Sequence, residues 1–409
     1  MNKPNRTIRT IRLLKNEKRF CCGLLIPFSF LVFFLAHRNP QATERWFSNG
    51  IYRFIAATYG RVFGYLPFSV SQFLIIILPV CAIIYIVYEI YCIAFKHGQR
   101  KRHAKRMAAN TLCALGIICF VFMMGAGLNY ARLELSEILD LDVRPSPVEE
   151  LTALTEILVQ HANEFSTQVA RNEYGNMVIS AGDYATLSRQ AQDIFRGAGE
   201  EFPVLSGFAP LAKPIIYSQF MSRLRIVGIY SPFTMEAHVN VHVMDYHIPA
   251  TMLHELAHFR GIMREDEANF IAWLTGMRSS NPDFMYSVTM LALSYTAGQL
   301  HRVNRDEHSR IMAGLNAYVQ ADRLANWEYW RQFEGQLAEI SRAANDAYLR
   351  VNRIEDGVHS YGRMVDLLLA YFRNYNNSKG YAVDTKIIST GQPDFFIPYF
   401  TTNHSNVTI

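Results

Sequence analysis

The sequence predicts a mainly α-helical protein in which three N-terminal transmembrane helices precede a larger, mostly helical domain with a small β element. Three observations carry this prediction. Three apolar runs fall within the first 130 residues, helical periodicity dominates the rest of the 409-residue chain, and one short segment alternates polar and apolar residues. The composition is 50% hydrophobic, which is high for a soluble protein, and the three runs account for the excess.

The apolar runs cover residues 20–36, 73–95 and 111–130. A helix needs about 20 apolar residues to cross the hydrocarbon core of a bilayer, and the second and third runs reach that length. The first run, "FCCGLLIPFSFLVFFLA", is shorter and follows a basic leader, so a signal-peptide core is the alternative. Because "HRNPQATERW" after it contains no small-x-small cleavage site, we expect an uncleaved anchor.

The distribution of Lys and Arg predicts the orientation of these spans. The leader, residues 1–19, holds seven basic residues and one acid, and the loop "KHGQRKRHAKRMAAN" holds six basic residues and no acid. The longer stretch between the first two runs holds only four basic residues. By the positive-inside rule the leader and the basic loop are cytoplasmic. Three spans then anchor the protein in the cell membrane and place residues 131–409 outside the cytoplasm.

The charge of the large domain differs from that of the whole chain. The net charge of the chain is +5, yet residues 131–409 are net acidic, because the basic residues concentrate in the leader and the basic loop. The basic loop is therefore a topology signal and a contact for the lipid bilayer, and the outer domain is not expected to bind nucleic acid. The cysteines all lie in the apolar runs, so the outer domain has no disulfide framework: Cys21, Cys22, Cys81, Cys92, Cys113 and Cys119.

The outer domain is predicted to be mostly helical. A short helix follows the third run, and a long amphipathic helix starts near Ser146, which is placed as the N-cap before a proline. "GDYATLSRQAQDIFRGAG" predicts a helix between glycines, and the prolines of "EEFPVLSGFAPLAKPIIYS" predict an ordered loop. Helical periodicity then resumes after residue 274 and continues to about residue 373, and the tail from residue 382 is predicted to be loop or edge strand.

The β element is predicted in "MEAHVNVHVMD". Polar residues alternate there with apolar ones, which indicates a single strand with one polar and one buried face. The polar face comprises Glu236, His238, Asn240 and His242, and the apolar face Ala237, Val239, Val241 and Val243. Such a strand could pair with an extended peptide at a sheet edge, so Glu236, His238 and Asn240 are candidate substrate-binding residues, although edge strands commonly carry polar faces without that role.

The segment "TMLHELAHFRGIMREDEANFIAWL", residues 251–274, predicts a metal site. His254 and His258 are four residues apart, so on a helix they share a face at about 6 Å and can bind one tetrahedral metal ion. Glu255, one step round the helix, can reach a water molecule without binding the metal. This is the H-E-x-x-H arrangement, in which two imidazoles bind Zn²⁺ and the glutamate is the general base.

The context of the motif makes a chance match less probable. With 13 histidines in the chain, H-E-x-x-H arises by chance at a frequency on the order of a few per cent, so the pattern alone is moderately specific. Here it lies in an apolar helix that follows an amphipathic strand. Gly261 is placed where the chain must turn, and a cluster of acids comes next.

The third metal ligand is expected in that acidic cluster, where the candidates are Glu265, Asp266 and Glu267. A third histidine three residues past the glycine is absent, because Arg264 occupies the position. On a helix beginning near Arg264, Glu265 shares a face with Asn269, whereas Glu267 points to the opposite side. The sequence therefore favours Glu265 as the ligand, with Glu267 as the alternate. A donor for the oxyanion of a tetrahedral intermediate is left open among Tyr230, Tyr286, Tyr295 and His301.

Four blocks together resemble a bacterial family of membrane-anchored proteins, domain of unknown function 3810, with three N-terminal spans and an H-E-x-x-H domain. They occur in the order "LPFSVSQFLII", "YSPFTMEAHVN", "HELAHFRGIMREDEANF" and "SYGRMVDLLLAYF". The motif block also resembles the glutamate-ligand zincins (gluzincins), which implies a zincin-like α+β metallopeptidase domain. In those proteins E-x-x-x-D is common, and "EDEAN" places Asn269 in the position of the Asp that hydrogen-bonds a ligand histidine.

These observations predict a membrane-anchored zinc metallopeptidase. Zn²⁺ is expected on His254, His258 and Glu265, and Glu255 is expected to activate water for attack on a peptide bond. The expected substrate is a protein or peptide at the outer membrane face. Two other functions remain open: a zinc-binding membrane sensor with little or no hydrolysis, and a scaffold whose zinc is purely structural.

Overall fold

The computed structural model describes residues 19–378 and shows a mainly helical protein with one small sheet. The predicted leader up to residue 18 and the predicted loop or edge strand of the tail lie outside the described residues. Within residues 19–378, three helical segments are long and apolar enough to cross a membrane: Arg19–Arg38, Val70–Phe95 and His97–Gly125. The prediction of a mainly helical protein with three membrane-length helices is confirmed.

The third of these segments differs from the predicted span at both ends. A continuous helix runs from Arg100 to Gly125, so most of the basic segment is helical rather than a loop. Its Lys, Arg, Ala and Met residues are good helix formers, and the 3₁₀ turn His97–Gln99 is enough to reverse the chain. The predicted last residues of the span instead form the 3₁₀ helix Gly127–Ala131, which is buried under the large domain.

The stretch between the first two spans, expected as a loop, is helical and packs on the large domain. It contains the short helices Pro40–Ala42, Tyr52–Ile55 and Arg61–Gly64, and the π-helical segments Thr43–Ile51 and Ala56–Gly60. Tyr52 donates a hydrogen bond to the carbonyl oxygen of Phe259 at 3.0 Å, and Glu44 forms a buried ion pair with Arg132 at 2.7 Å. Contacts therefore cross the predicted domain boundary at residue 131.

The large domain is built from helices around a buried core. They are Leu135–Ile138, Val148–Ser166, Tyr184–Glu201, Ser218–Arg223, Ile248–Phe259, Glu265–Gly276, Pro282–Val303, Arg305–Met312, Ala317–Arg331, Gln336–Val351 and Met364–Ser378. The 3₁₀ segments Pro203–Leu205, Asp245–His247 and Gly357–Arg363 connect some of them. Ser146 is not the N-cap predicted for the long helix: the helix begins at Val148 after Pro147, and the Ser146 hydroxyl donates to the carbonyl oxygen of Arg144.

The sheet has three strands in the order β1-β3-β2: β1 Lys213–Pro214, β2 Gly228–Ser231 and β3 Glu236–Val239. Strand β3 is parallel to β1 and antiparallel to β2, with Gly228 opposite Val239. The predicted single edge strand is therefore wrong, because β3 is central and all four of its residues are buried. The sequence did not indicate β1 or β2, since both are short, β1 contains a proline, and neither shows clear alternation.

Two buried helices lie at the centre of the domain. The HELAH helix, Ile248–Phe259, and the EDEAN helix, Glu265–Gly276, are buried along nearly their whole length and pack against each other. Leu253, Leu256 and Ala257 of the HELAH helix have no exposed surface. Burying each such leucine contributes about 1.5–3 kcal/mol, so apolar contacts fix the helix that carries the two motif histidines.

Candidate metal centre

The turn between the two helices depends on a glycine. The HELAH helix ends at Phe259, and Gly261 has φ of +86°, a left-handed conformation that residues with a side chain adopt only with strain. A Cβ at this position would also lie 3.1 Å from both Asn129 and Tyr52. The predicted turn at Gly261 is confirmed, and it starts the EDEAN helix beside the histidines.

Three side chains converge at this point. His254, His258 and Glu265 each offer one ligand atom, and these atoms lie within 4.8 Å of one another. The Nε2 atoms of His254 and His258 lie 3.2 and 3.6 Å from Oε2 of Glu265. Nδ1 of His258 donates to the carbonyl oxygen of Ile262 at 2.8 Å, and this hydrogen bond directs Nε2 toward the cluster. The structure thus brings together the three residues that the sequence favoured.

The charges of the three side chains are strongly coupled. Burial alone would lower the pKa of His258, but the carboxylate of Glu265 raises it to about 9. Burial would raise the pKa of Glu265, but His258 and His254 hold it well below its usual range. A buried carboxylate between two imidazoles favours a positive charge among them, and a cation can supply that charge in place of a proton.

Glu255 is buried beside the cluster but is not one of its ligands. It is 3% exposed, and its Oε2 atom has no hydrogen-bond partner within the described part of the chain. Burial raises the pKa of Glu255 to about 7, although the nearby His254 and His258 oppose the rise. A carboxyl group with such a pKa can take up and release a proton near neutral pH.

Strand β2 leaves room for this carboxyl group. A Cβ on Gly228 would lie 2.3 Å from Oε1 of Glu255 and 2.6 Å from Cγ2 of Thr251. Only glycine permits the strand to approach Glu255 this closely. Sequence reasoning missed Gly228, which is the first residue of β2, because the sequence did not indicate this strand. An isolated glycine does not show that it will contact a residue distant in the chain.

The other two acids of "EDEAN", Glu267 and Asp266, have partners other than the histidines. Oε1 of Glu267 accepts hydrogen bonds from the backbone N–H of Leu135 at 2.8 Å and from Arg264 at 2.9 Å. The structure therefore does not bring the alternate ligand Glu267 to the cluster. Asp266 instead pairs with Arg363, whose Nε lies 3.0 Å from the carboxylate.

The predicted role of Asn269 is not what the structure shows. Its Nδ2 atom donates to the hydroxyl of Tyr295 at 3.2 Å, and the described contacts include no hydrogen bond from a ligand imidazole to its amide oxygen. For His258 the carbonyl oxygen of Ile262 accepts that hydrogen bond instead. Because the chain turns tightly at Gly261, the carbonyl of Ile262, which precedes the EDEAN helix, lies beside the last turn of the HELAH helix.

The candidate substrate-binding residues, Glu236 and His238 of β3 and Asn240 just after it, have partners inside the protein, which corrects their assignment to an open edge. Glu236 binds Lys213 at 2.7 Å and accepts from the backbone N–H groups of Val70 and Ser71. His238 contacts the hydroxyls of Ser69 and Ser71 and the carbonyl oxygen of Ile229. Asn240 donates to Ser222 and to the carbonyl oxygen of Ile226. The polar face therefore forms hydrogen bonds and an ion pair that join the strands of the sheet to one another and to the start of the second membrane-length helix.

The four candidate oxyanion donors have different surroundings in the structure. Tyr286 donates to Asp322, and His301 stacks against His308, so neither contact involves the cluster. The ring centroid of Tyr230 lies 6.4 Å from that of His258, and its hydroxyl is hydrogen-bonded to Tyr52 and to the carbonyl oxygen of Gly125. The hydroxyl of Tyr295 accepts a hydrogen bond from Asn269, one helical turn after Glu265, and burial and then the charge of Glu265 raise the pKa of Tyr295 to about 12.

Tyr361 is a further residue that sequence reasoning missed, and its segment packs on the EDEAN helix. Burial raises the pKa of Tyr361, and the charges of Glu265 and Glu255 raise it further. It lies in the 3₁₀ segment Gly357–Arg363, which the Arg363–Asp266 ion pair ties to the EDEAN helix. No local pattern reports a contact between segments so far apart in the chain.

No protein of curated function and no solved structure matches this chain. A family model described as "Protein of unknown function (DUF3810)" matches residues 47–369. The match includes the second and third membrane-length helices, the sheet, and the HELAH and EDEAN helices. The chain therefore belongs to the DUF3810 family.

Proposed function

We propose that this protein is a membrane-anchored zinc metallopeptidase of the glutamate-ligand zincin type. The observation that carries the proposal is the convergence of His254, His258 and Glu265 beside a buried carboxyl group, Glu255. Two imidazole nitrogens and one carboxylate oxygen are a ligand set of catalytic zinc sites, which keep a fourth position open.

The residues present fit a zinc ion. The Nε2 atoms of both histidines are directed at the same carboxylate oxygen, and the hydrogen bond from His258 to Ile262 fixes the tautomer that a ligand needs. Zinc held there would supply Lewis-acid chemistry, polarising a peptide carbonyl and lowering the pKa of water.

Glu255 performs the proton transfers in this proposal. Its carboxylate takes a proton from the attacking water and passes it to the nitrogen of the leaving amine as the peptide bond breaks. The carboxyl group is 3% exposed, and the absence of a side chain at Gly228 leaves space for it beside β2. We assign the role of donor to the oxyanion that forms at the carbonyl to Tyr295 and Tyr361, because the charge of Glu265 raises the pKa of both.

An extended peptide would bind along β2. Among the described residues β2 has a strand partner on one side only, and Gly228 at its start contacts Glu255. Backbone pairing with this edge would align a substrate chain beside the general base without requiring particular side chains. This assignment replaces the expectation that β3 presents the edge.

The domain is proposed to lie outside the cytoplasm. The second and third spans meet at the turn His97–Gln99, flanked by basic residues, while their opposite ends pack on the sheet. If the basic turn is cytoplasmic, as the positive-inside rule requires, the domain and its candidate metal centre are on the other side of the membrane.

Glu255→Gln tests the peptidase proposal. We expect the variant to bind as much zinc as the wild type and to lose hydrolysis by a factor on the order of 10²–10⁴, because the general base is removed and the ligands remain. The measurement uses the full-length protein in detergent micelles and a peptide mixture from a digested proteome, with new termini identified by mass spectrometry. Equal cleavage by Glu255→Gln and wild type would rule out this role.

A zinc-binding sensor is the second candidate, and one contact favours it. Glu236 of the central strand accepts hydrogen bonds from the first residues of the second span, and this strand packs on the HELAH helix. A displacement of the second membrane-length helix would therefore be transmitted through this strand to the HELAH helix and the candidate metal centre. A sensor predicts that zinc-loaded wild type cleaves nothing and that Glu255→Gln restores the transcriptional profile of a deletion strain.

A further inference from the structure

The helix Gln336–Val351 leaves an apolar stripe exposed. Leu337, Ile340, Tyr348 and Val351 lie on one side at helical spacing, and their exposed fractions are 42%, 65%, 39% and 72%. The opposite side of the helix carries the charged residues Glu339, Arg342, Asp346 and Arg350. A third side packs on the protein through the buried Leu349. Such an arrangement is typical of helices that lie at a membrane surface.

One end of the stripe touches the membrane-length helices. The ring of Tyr348 lies 6.1 Å from the ring of Phe122, and the guanidinium of Arg353 lies 5.8 Å from the ring of Phe33. Leu349 belongs to the same buried cluster as Phe33. Phe122 precedes the end of its helix at Gly125 by less than one turn, about 5 Å along the axis. This end of the stripe is therefore level with the last turn of a span.

The exposed stripe is continuous with surfaces that face lipid. Near the same ends of the spans, Phe34 and Ile118 are 43% and 52% exposed, as expected for side chains in contact with acyl chains. The apolar stripe begins at the same depth as these side chains, so lipid is its nearest apolar environment. The charged side of the helix faces away from the lipid. We propose that the helix Gln336–Val351 lies along the membrane surface with this stripe inserted among the lipids.

The proposed membrane contact has a consequence for the candidate metal centre. The hydroxyl of Tyr130 donates to that of Tyr348 at 3.2 Å, and the carbonyl oxygen of Tyr130 accepts at 3.3 Å from Arg264, the residue before Glu265. One helix therefore presents residues to the lipid and to the surroundings of Glu265. The bilayer would support one wall of the site, whether or not the site hydrolyses peptides.

Photo-crosslinking tests this contact in the full-length protein. p-Benzoylphenylalanine is introduced separately at Ile340, Val351 and Arg342, and the protein is reconstituted in vesicles of phosphatidylethanolamine and phosphatidylglycerol. Ile84 of the second span, 63% exposed, is the reference for a side chain in lipid. After irradiation, lipid adducts are measured by mass spectrometry. We expect adducts at positions 340 and 351, as at 84, and only background at 342, which lies on the charged side.

Four results would overturn the proposal. If position 340 gives no lipid adduct while position 84 does, the stripe lies in water. If position 340 crosslinks to a second copy of the chain and not to lipid, the stripe is a protein interface. Adducts at 351 alone would limit the contact to the end of the helix, and equal adducts at 340 and 342 would remove its orientation.

Discussion

Within the segment "EDEAN", each polar side chain has a different partner. Glu265 lies against the two histidines, and Asp266 forms an ion pair with Arg363. The carboxylate of Glu267 accepts a hydrogen bond from the backbone N–H of Leu135, and the side-chain amide of Asn269 donates one to the hydroxyl of Tyr295. Helical geometry was sufficient to choose Glu265 over Glu267 as the ligand, because the choice depends only on the helix face from which each side chain projects. The partner of Asn269 could not be predicted, since Tyr295 comes from a different helix.

Gly228→Ala tests the close contact between β2 and the proposed general base. The added methyl group would displace the Glu255 carboxyl group from its position, and a displacement near 1 Å lowers turnover by a factor on the order of 10². Zinc content should not change, because no ligand is touched. Gly197→Ala is the control, since a Cβ there meets nothing within 4 Å. Unchanged turnover in Gly228→Ala would show that Glu255 tolerates the methyl group.

For the elements, the sequence predicted the HELAH helix and its turn more accurately than the sheet. Apolar periodicity, the motif and Gly261 all report on local geometry. The alternation in "MEAHVNVHVMD" predicts a strand over the whole segment, but only Glu236–Val239 forms one, and this strand is central in the sheet. The polar face proved to be buried, because Lys213 and the start of the second span supply its partners. Alternation shows which residues share a face and does not show what covers that face.

Gly261→Ala tests the turn that brings the EDEAN helix to the histidines. The left-handed φ of +86° makes alanine unfavourable by about 1–2 kcal/mol, and its Cβ would press on Asn129 and Tyr52. We expect the thermal unfolding midpoint of the detergent-solubilised protein to fall by several degrees. Gly298→Ala in the helix Pro282–Val303 has free space at its Cβ and should leave the midpoint unchanged or raise it. Equal midpoints for both variants would contradict the strain argument.

At the scale of the whole molecule, the sequence predicted the number of membrane-length helices and the mostly helical domain. It did not predict that residues 40–64 between the first two spans pack on the domain. Those residues lack a strong single period, and their contacts with Phe259 and Arg132 are distant in the chain. The candidate metal centre lies close to the end of the third membrane-length helix, because the ring of Tyr230 lies 6.4 Å from that of His258 and its hydroxyl donates to the carbonyl oxygen of Gly125.

The orientation of the spans can be tested with reporter insertions. Alkaline phosphatase, which is active only outside the cytoplasm, is expected to be inactive after Gly98 and active after residue 378. Replacing the six basic residues of "KHGQRKRHAKR" with glutamine should weaken this difference, since Lys and Arg set the orientation. Strong phosphatase activity at Gly98 together with none after residue 378 would place the domain in the cytoplasm and contradict the account.

The zinc content of two matched variants tests the central claim most directly. Full-length wild type, Glu265→Gln and Glu267→Gln are purified in detergent, equilibrated with zinc and dialysed, and bound metal is measured by mass spectrometry. Because Glu265 meets the histidines and Glu267 does not, we expect about one zinc ion per chain in wild type and Glu267→Gln, and a large loss in Glu265→Gln. Full zinc content in Glu265→Gln, or none in the wild type, would contradict the proposed metal centre.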